Sequence, residues 1–248
     1  MKTPLRIAIL QCDTPPPDVV ALYGAYDRIF TTLLEKAATG LGLDPKTDLE
    51  LSAFEVVTAQ EYPNLENIDA VLISGSKHNS FDNDAWILKL VDFTEKLLKQ
   101  DRIRIIGVCF GHQILGRALG AKVGRSDNGW EIAVLPVELT AKGKEVFQQD
   151  TLTIHQMHKD VVFEYPDGVE KLGGSPRCLT QGMYQKGRLI SVQGHPEFHE
   201  GIVSRLVKMR NEQGIFNDEQ AKDALDRVGD KHDGVVIAQA FLRFLLED

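Results

Sequence analysis

No stretch of this chain is long and apolar enough to span a bilayer, and no run of lysines or arginines could track a phosphate backbone. These two absences set aside a membrane-spanning protein and a nucleic-acid partner. Cysteine is scarce as well. Cys12, Cys109 and Cys178 are odd in number and far apart, which suits free thiols in a reducing compartment rather than a disulfide framework, so the cytoplasm is the expected location. The start, "MKTPLRIAILQCD", has too short an apolar core for a secretory signal and reads as a first strand. Internal repeats and low-complexity linkers are missing too. With 43% AVILMFWYC, 26% DEKR and a formal charge of −8 spread along the chain, the composition is that of an ordinary globular protein. Residues 1–248 are read as one domain.

The apolar runs and their punctuation predict the elements. Leu5–Leu10 is a short strand, and the prolines of "TPPPD" predict a loop after it. A helix is expected from about Tyr23 to Ala38, ended by Gly40 and Gly42. "LSAFEVV", "AVLIS" and "IRIIGV" read as further strands, the second with the unbroken apolar character of buried parallel strands. Between them Ile87, Leu90, Val91, Leu97 and Leu98 fall at helical spacing, with Asp82 or Asp84 as candidate N-cap. Strands and helices alternate through Leu119, which predicts a mostly parallel central sheet with helices on both faces. From Gly129 to Gln193 the runs "EIAVLPVEL", "TLTIH", "VEKLGG", "CLTQGMY" and "RLISVQ" are strand-like with little helical periodicity between them, predicting an antiparallel β extension. Three helical stretches close the chain: "EGIVSRLVKMRNE", "NDEQAKDALDRV" and "VVIAQAFLRFLLE".

Chemistry concentrates at three strand ends. In "IRIIGVCFGHQIL" a strand runs into a helix through Gly107-Val108-Cys109-Phe110-Gly111, a G-x-C-x-G pattern with the form of a nucleophile elbow. A lone cysteine is by default a small core hydrophobe. Here the helix N-terminus favours a thiolate, and its free N–H groups can bind an oxyanion. In "LISVQGHPEF", His195 and Glu197 are two apart, so an extended segment presents imidazole and carboxylate on one side. A cysteine nucleophile needs such a base and a group to orient it. His195 alone would read as a turn histidine; beside the elbow it becomes the candidate base. In "VLISGSKHNS" the small residues Ser74, Gly75 and Ser76 let backbone approach a ligand, and the amides of Ser76 and Phe110 are the candidate oxyanion hole.

Together, "GVCFGHQILGRALG", "ISGS" and "GHPEF" resemble, in order, the nucleophile, oxyanion and His-Glu motifs of the class I (triad) glutamine amidotransferase family. The resemblance implies a flavodoxin-like fold and a γ-glutamyl thioester. By it Cys109 is the nucleophile, His195 the general base and acid, and Glu197 the orienting carboxylate, with no cofactor. Gln113 is the residue expected to help hold substrate. "YGAYDRIF", "ISGSKHNSFDNDAWILKL", "QMHKDVV" and "VQGHPEF" resemble the free-standing branch that includes plant γ-glutamyl peptidases, which act on glutathione-type compounds. The loop 156–160, with Met157, Lys159 and Asp160, is expected to read the glutamyl α-amino and α-carboxylate groups, Asp160 accepting from the ammonium. Lys159 stands where many glutaminases have glycine; it either pairs with a substrate carboxylate or points to solvent. A glutaminase would need a separate synthase partner, since no residues remain for a fused one. A non-catalytic γ-glutamyl metabolite binder is the alternative of another class.

Other signals carry less. His155 and His158, or His195 and His199, have ligand-like spacing but lack a clear third ligand, so no catalytic metal is expected. Gly116, Gly120 and Gly124 do not form G-x-G-x-x-G and read as helix packing rather than nucleotide binding. Trp130 is expected in core or edge packing, and Cys12 as a buried thiol. Charge and patterning are silent on oligomeric state.

Overall fold

The computed structural model describes residues 3–247. Four short strands form the parallel centre: β1 (Leu5–Gln11), β3 (Ala70–Ile73), β4 (Arg104–Val108) and β11 (Leu189–Val192), with β2 (Leu49–Glu55) parallel to β1 at the edge. Because successive side chains point to opposite faces, Leu5, Ile7 and Ile9 of β1 enter one core while Ala8 and Leu10 enter the other. Helices α2 (Tyr26–Gly40) and α9 (Gly234–Leu246) cover the first face; α4 (Ala85–Leu98) and α5 (Phe110–Ala118) cover the second. Fully buried Phe30 and Phe241 on one side and Ile87 and Ile114 on the other each contribute about 1.5–3 kcal/mol relative to exposure.

Beyond β11 the same nine-stranded sheet turns antiparallel through β10 (Gly182–Gln185), β9 (Glu170–Gly174), β6 (Glu131–Leu139) and β7 (Leu152–His158), in the order β2-β1-β3-β4-β11-β10-β9-β6-β7. A second, two-stranded antiparallel sheet pairs β5 (Val123–Arg125) with β8 (Asp160–Val162). Helices α7 (Glu200–Glu212) and α8 (Asp218–Arg227) follow β11. The mostly parallel sheet with helices on both faces and an antiparallel extension is the architecture that the alternating pattern predicts. No helix among the described residues is long and apolar enough to cross a membrane.

Three expectations are corrected. The proline run does not exclude helix: α1 (Pro17–Tyr23) starts on its last proline, placed where a missing N–H costs nothing. The next helix starts at Tyr26 rather than Tyr23, because Gly24, with φ +87°, breaks the chain between the two. The middle of the chain also holds a helix, α6 (Ala141–Phe147), capped by Thr140 accepting from the Gly143 amide. Its apolar periodicity is weak because it docks through backbone: a Cβ at Gly143 would overlap the Leu172 carbonyl oxygen. Of the two candidate N-caps of α4, Asp84 rather than Asp82 occupies the position, without a side-chain hydrogen bond.

Candidate active site

Cys109 is the one residue between β4 and α5, and its backbone is strained: φ is +51° and ψ −100°, a region non-glycine residues avoid. Two hydrogen bonds hold it there, from the Cys109 amide to the Val192 carbonyl (2.9 Å) and from the Gln113 amide to the Cys109 carbonyl (3.0 Å). The turn also needs Gly111, because a Cβ there would collide with the Ile73 carbonyl oxygen and lie 2.8 Å from the Ile73 Cβ. Close packing of α5 on β3 therefore explains the second glycine of G-x-C-x-G. The Cys109 side chain is only 5% exposed.

The segment after β11 is pinned by the His195 amide, which donates to the His155 carbonyl of β7 (2.7 Å). His195 Nδ1 lies 2.8 Å from Glu197 Oε1, and the ring stacks on Phe198 with centroids 4.1 Å apart. With Nδ1 so taken, Nε2 is the ring nitrogen left to exchange a proton with Cys109. Burial pulls the imidazole pKa down, but the Cys109 and Glu197 charges and their hydrogen bonds outweigh it, and the net value is pushed up to about 10. Both neighbours therefore favour the protonated imidazole. Gly75 packs against the ring and the cysteine: a Cβ there would lie 2.7 Å from His195 Cε1 and 3.7 Å from Cys109 Cβ. The Phe110 amide is at the first turn of α5, where backbone donors lack helical partners. Ser76 lies beside His195 in the lining of a cleft of about 660 Å³. Trp130, Met157, Leu206, Met209 and Arg210 form much of its remaining wall.

The expected substrate residues divide. Met157 lines the cleft. Asp160 is ion-paired to Arg125 (2.9 Å), whose side chain reaches the cleft. Lys159 is half-buried and outside the lining, its carbonyl accepting from the Ser126 amide. Gln113 is engaged within the protein: Ser80 Oγ donates to its Oε1 (2.9 Å), and its Nε2 donates to the Asp160 carbonyl (2.9 Å) and to Gln193 Oε1 (3.2 Å). Gln193 in turn donates to Cys109 Sγ at 3.6 Å. Sequence reasoning missed Gln193, although alternation places it on the same side as His195, two residues on. It also missed Arg210, whose position depends on how α7 docks. Trp130 both packs against the core and walls the cleft.

Cys12 and Cys178 are buried thiols whose pKa burial pushes up, to about 12 for Cys178. Cys178 lies with Glu131 and His158 in a buried group whose ligand atoms fall within 4.8 Å of one another. Glu131 Oε1 already accepts from Ser175 Oγ (2.7 Å) and Oε2 from Gln181 Nε2 (2.7 Å), with His158 Nε2 3.0 Å away, so the group forms an internal polar network.

Two buried imidazoles make stability pH-dependent. Burial, helped by His158 in one case and by His232 in the other, pulls His112 and His155 down to about 3. Below an unfolded-state value of about 6.5 the unfolded chain binds protons that the fold refuses. Their contribution is therefore full above about pH 6.5 and is lost as pH falls toward 3, at up to about 1.4 kcal/mol per pH unit each. His195, shifted upward, acts in the opposite sense between pH 6.5 and about 10. The urea midpoint should fall between pH 6.5 and 5 by the equivalent of about 2–4 kcal/mol, with a shallower slope in His112→Asn and His155→Asn; an undiminished slope in both variants excludes them as the source.

The family description "Glutamine amidotransferase class-I" matches residues 29–208. A putative glutamine amidotransferase-like protein of Schizosaccharomyces pombe is 34% identical over 98% of this chain and 99% of that protein. Gamma-glutamyl peptidase 2 of Arabidopsis thaliana is 29% identical over 90% of this chain and 88% of its own length. Among solved structures, a glutamine amidotransferase from Thermotoga maritima superposes with a TM-score of 0.74 at 17% identity, covering 98% of both chains, and shares the fold. The chain belongs to the class-I glutamine amidotransferase family.

Proposed function

We propose that the protein hydrolyses γ-glutamyl amides through a thioester on Cys109, as a free-standing γ-glutamyl peptidase. The observation that carries this is the Cys109 thiol at the β4–α5 turn beside the His195–Glu197 pair, with His195 in the wall of a cleft of about 660 Å³. A volume in the range of roughly 300–1,000 Å³ suits a drug-sized ligand and exceeds what a single glutamine fills. The similarity to gamma-glutamyl peptidases of Arabidopsis thaliana supports the same choice.

The Cys109 thiolate attacks the γ-carbonyl carbon, and the carbonyl electron pair moves onto oxygen between the Ser76 and Phe110 amides. Each such donor is typically worth about 3–4 kcal/mol in the transition state. The pair returns, the C–N bond breaks, and His195 Nε2 passes its proton to the leaving nitrogen. Neutral His195 then takes a proton from water as it attacks the thioester; the C–S bond breaks, releasing glutamate and restoring the ion pair. Glu197 holds Nδ1 throughout, so the proton moves at Nε2.

The test is glutamate release from glutamine, glutathione, a glutathione S-conjugate and γ-glutamyl dipeptides by the purified chain. Turnover of the peptides without any added protein is expected. Turnover of glutamine alone, or only when a synthase is supplied, would replace this reading with that of an ammonia-producing subunit. Stoichiometric labelling by a glutamine-like electrophile should fall on Cys109; binding without any turnover or labelling would instead favour a metabolite-binding role.

A further inference from the structure

Arg210 reaches the cleft from the last turns of α7, and no carboxylate among the described residues forms an ion pair with it. Its Nη1 is shielded from solvent and makes no hydrogen bond among the described residues. The acidic side chain in the same lining, Asp13, is already engaged: it accepts from Lys77 Nζ (2.7 Å), the Lys77 amide (2.9 Å) and the Thr14 amide (2.8 Å). Arg210 is nonetheless held in place. Its guanidinium centre lies 5.3 Å from the Trp130 ring and 5.8 Å from that of Phe216, and its carbonyl accepts from the Ile215 and Phe216 amides at 2.9 and 3.2 Å. Aromatic contacts of this kind use the face of the guanidinium and leave its in-plane N–H donors free. A guanidinium does not discharge at any pH the fold survives, so a half-desolvated one without a counter-ion is poised for an anion with two acceptor oxygens.

The chemistry says which part of the substrate supplies it. His195 must hand its proton to the leaving nitrogen, so the leaving group lies on the His195 side of the scissile carbon. Phe198, on which the His195 ring stacks, shares a small cavity with Leu206 of α7, and Met209 and Arg210, one turn further along that helix, line the cleft with them. We propose that Arg210 binds a carboxylate carried by the leaving group, and that the preferred substrates are γ-glutamyl amides of amino acids or short peptides with a free carboxylate. The apolar residues of the same wall then contact that group's side chain. This subsite rests on the hydrolase reading above and adds a selection that the reading does not require.

The experiment compares three substrates of the intact protein: a γ-glutamyl dipeptide, the same dipeptide with its C-terminus amidated, and glutamine. The wild type is expected to prefer the free acid over the amide by about 10- to 100-fold in kcat/KM, the range of one charge-assisted pair. Arg210→Met should remove that preference, raising KM for the acid by a similar factor with kcat little changed, and should leave the amide and glutamine at wild-type rates. Arg210→Lys, which keeps the charge but not the fork, should recover part of the preference. Equal treatment of acid and amide by the wild type overturns the subsite without recourse to any variant. Equal losses on all three substrates in Arg210→Met overturn it too, because the arginine then serves the glutamyl group or the fold. A wild type that turns over none of the three removes the hydrolase reading and the subsite with it, whereas turnover without discrimination removes the subsite alone.

Discussion

Cys109→Ala should abolish glutamate release, with a loss of about 10⁴- to 10⁶-fold in kcat, the span seen when one member of a nucleophilic triad is removed. The physical reason is that no other thiol can take its place: Cys12 and Cys178 are buried and their thiolates are disfavoured by burial. Glu197→Gln should cost about 10⁴-fold by itself. An amide there can donate to His195 Nδ1 and so stabilise the wrong tautomer, and it removes one of the charges that raise the imidazole pKa to about 10. Because the three groups act as a unit, the double variant should be little worse than Cys109→Ala. Single-turnover release from a γ-glutamyl dipeptide, with mass analysis for the acyl adduct, checks all three. An acyl adduct or residual turnover above about 1% of wild type in Cys109→Ala would place the nucleophile elsewhere.

Gly111→Ala should be the most damaging of the small substitutions around the elbow. The new methyl would have to fit where the Ile73 carbonyl oxygen now lies, and both partners are rigid: one is the first turn of α5, the other the end of a central strand. Overpacking of this kind typically costs 1–3 kcal/mol, and contact with backbone puts this case near the upper end. For a chain of this size that corresponds to a fall in Tm of about 6–12 °C. Separating α5 from β3 also shifts the Phe110 amide relative to Ser76, so activity at permissive temperature should fall further than stability alone requires. Calorimetry and steady-state kinetics on the same preparation separate the two effects. A Tm within about 2 °C of wild type would mean that the helix moves away at little cost.

Much of the parallel half was legible because its signals are local. Apolar runs such as Ala70–Ile73 and Ile105–Val108 mark strands covered on both faces, and the glycines around Cys109 mark the sharp turn between strand and helix. Where tertiary contacts override local preference, the reading failed. Pro17 starts a helix because its missing N–H falls at a first turn, and α6 gains its place from backbone packing at Gly143 rather than from an apolar stripe. At the site, the partners of Gln113 were likewise not legible in the sequence. Its amide bridges Ser80, Asp160 and Gln193, which lie far from it in the chain.

By itself, the order of residues determined which chemical groups the protein carries and which of them must share a strand end: sulfur in a strained turn, and imidazole and carboxylate two apart on an extended segment. Such features follow from backbone geometry over a few residues. Only the tertiary structure decided that β4 and β11 are neighbours, bringing sulfur to imidazole, and that α7 returns over them to leave Arg210 unpaired in the cleft. Those relations join residues some 85 to 100 positions apart, and the burial and pairing that favour them exist once the sheet has closed.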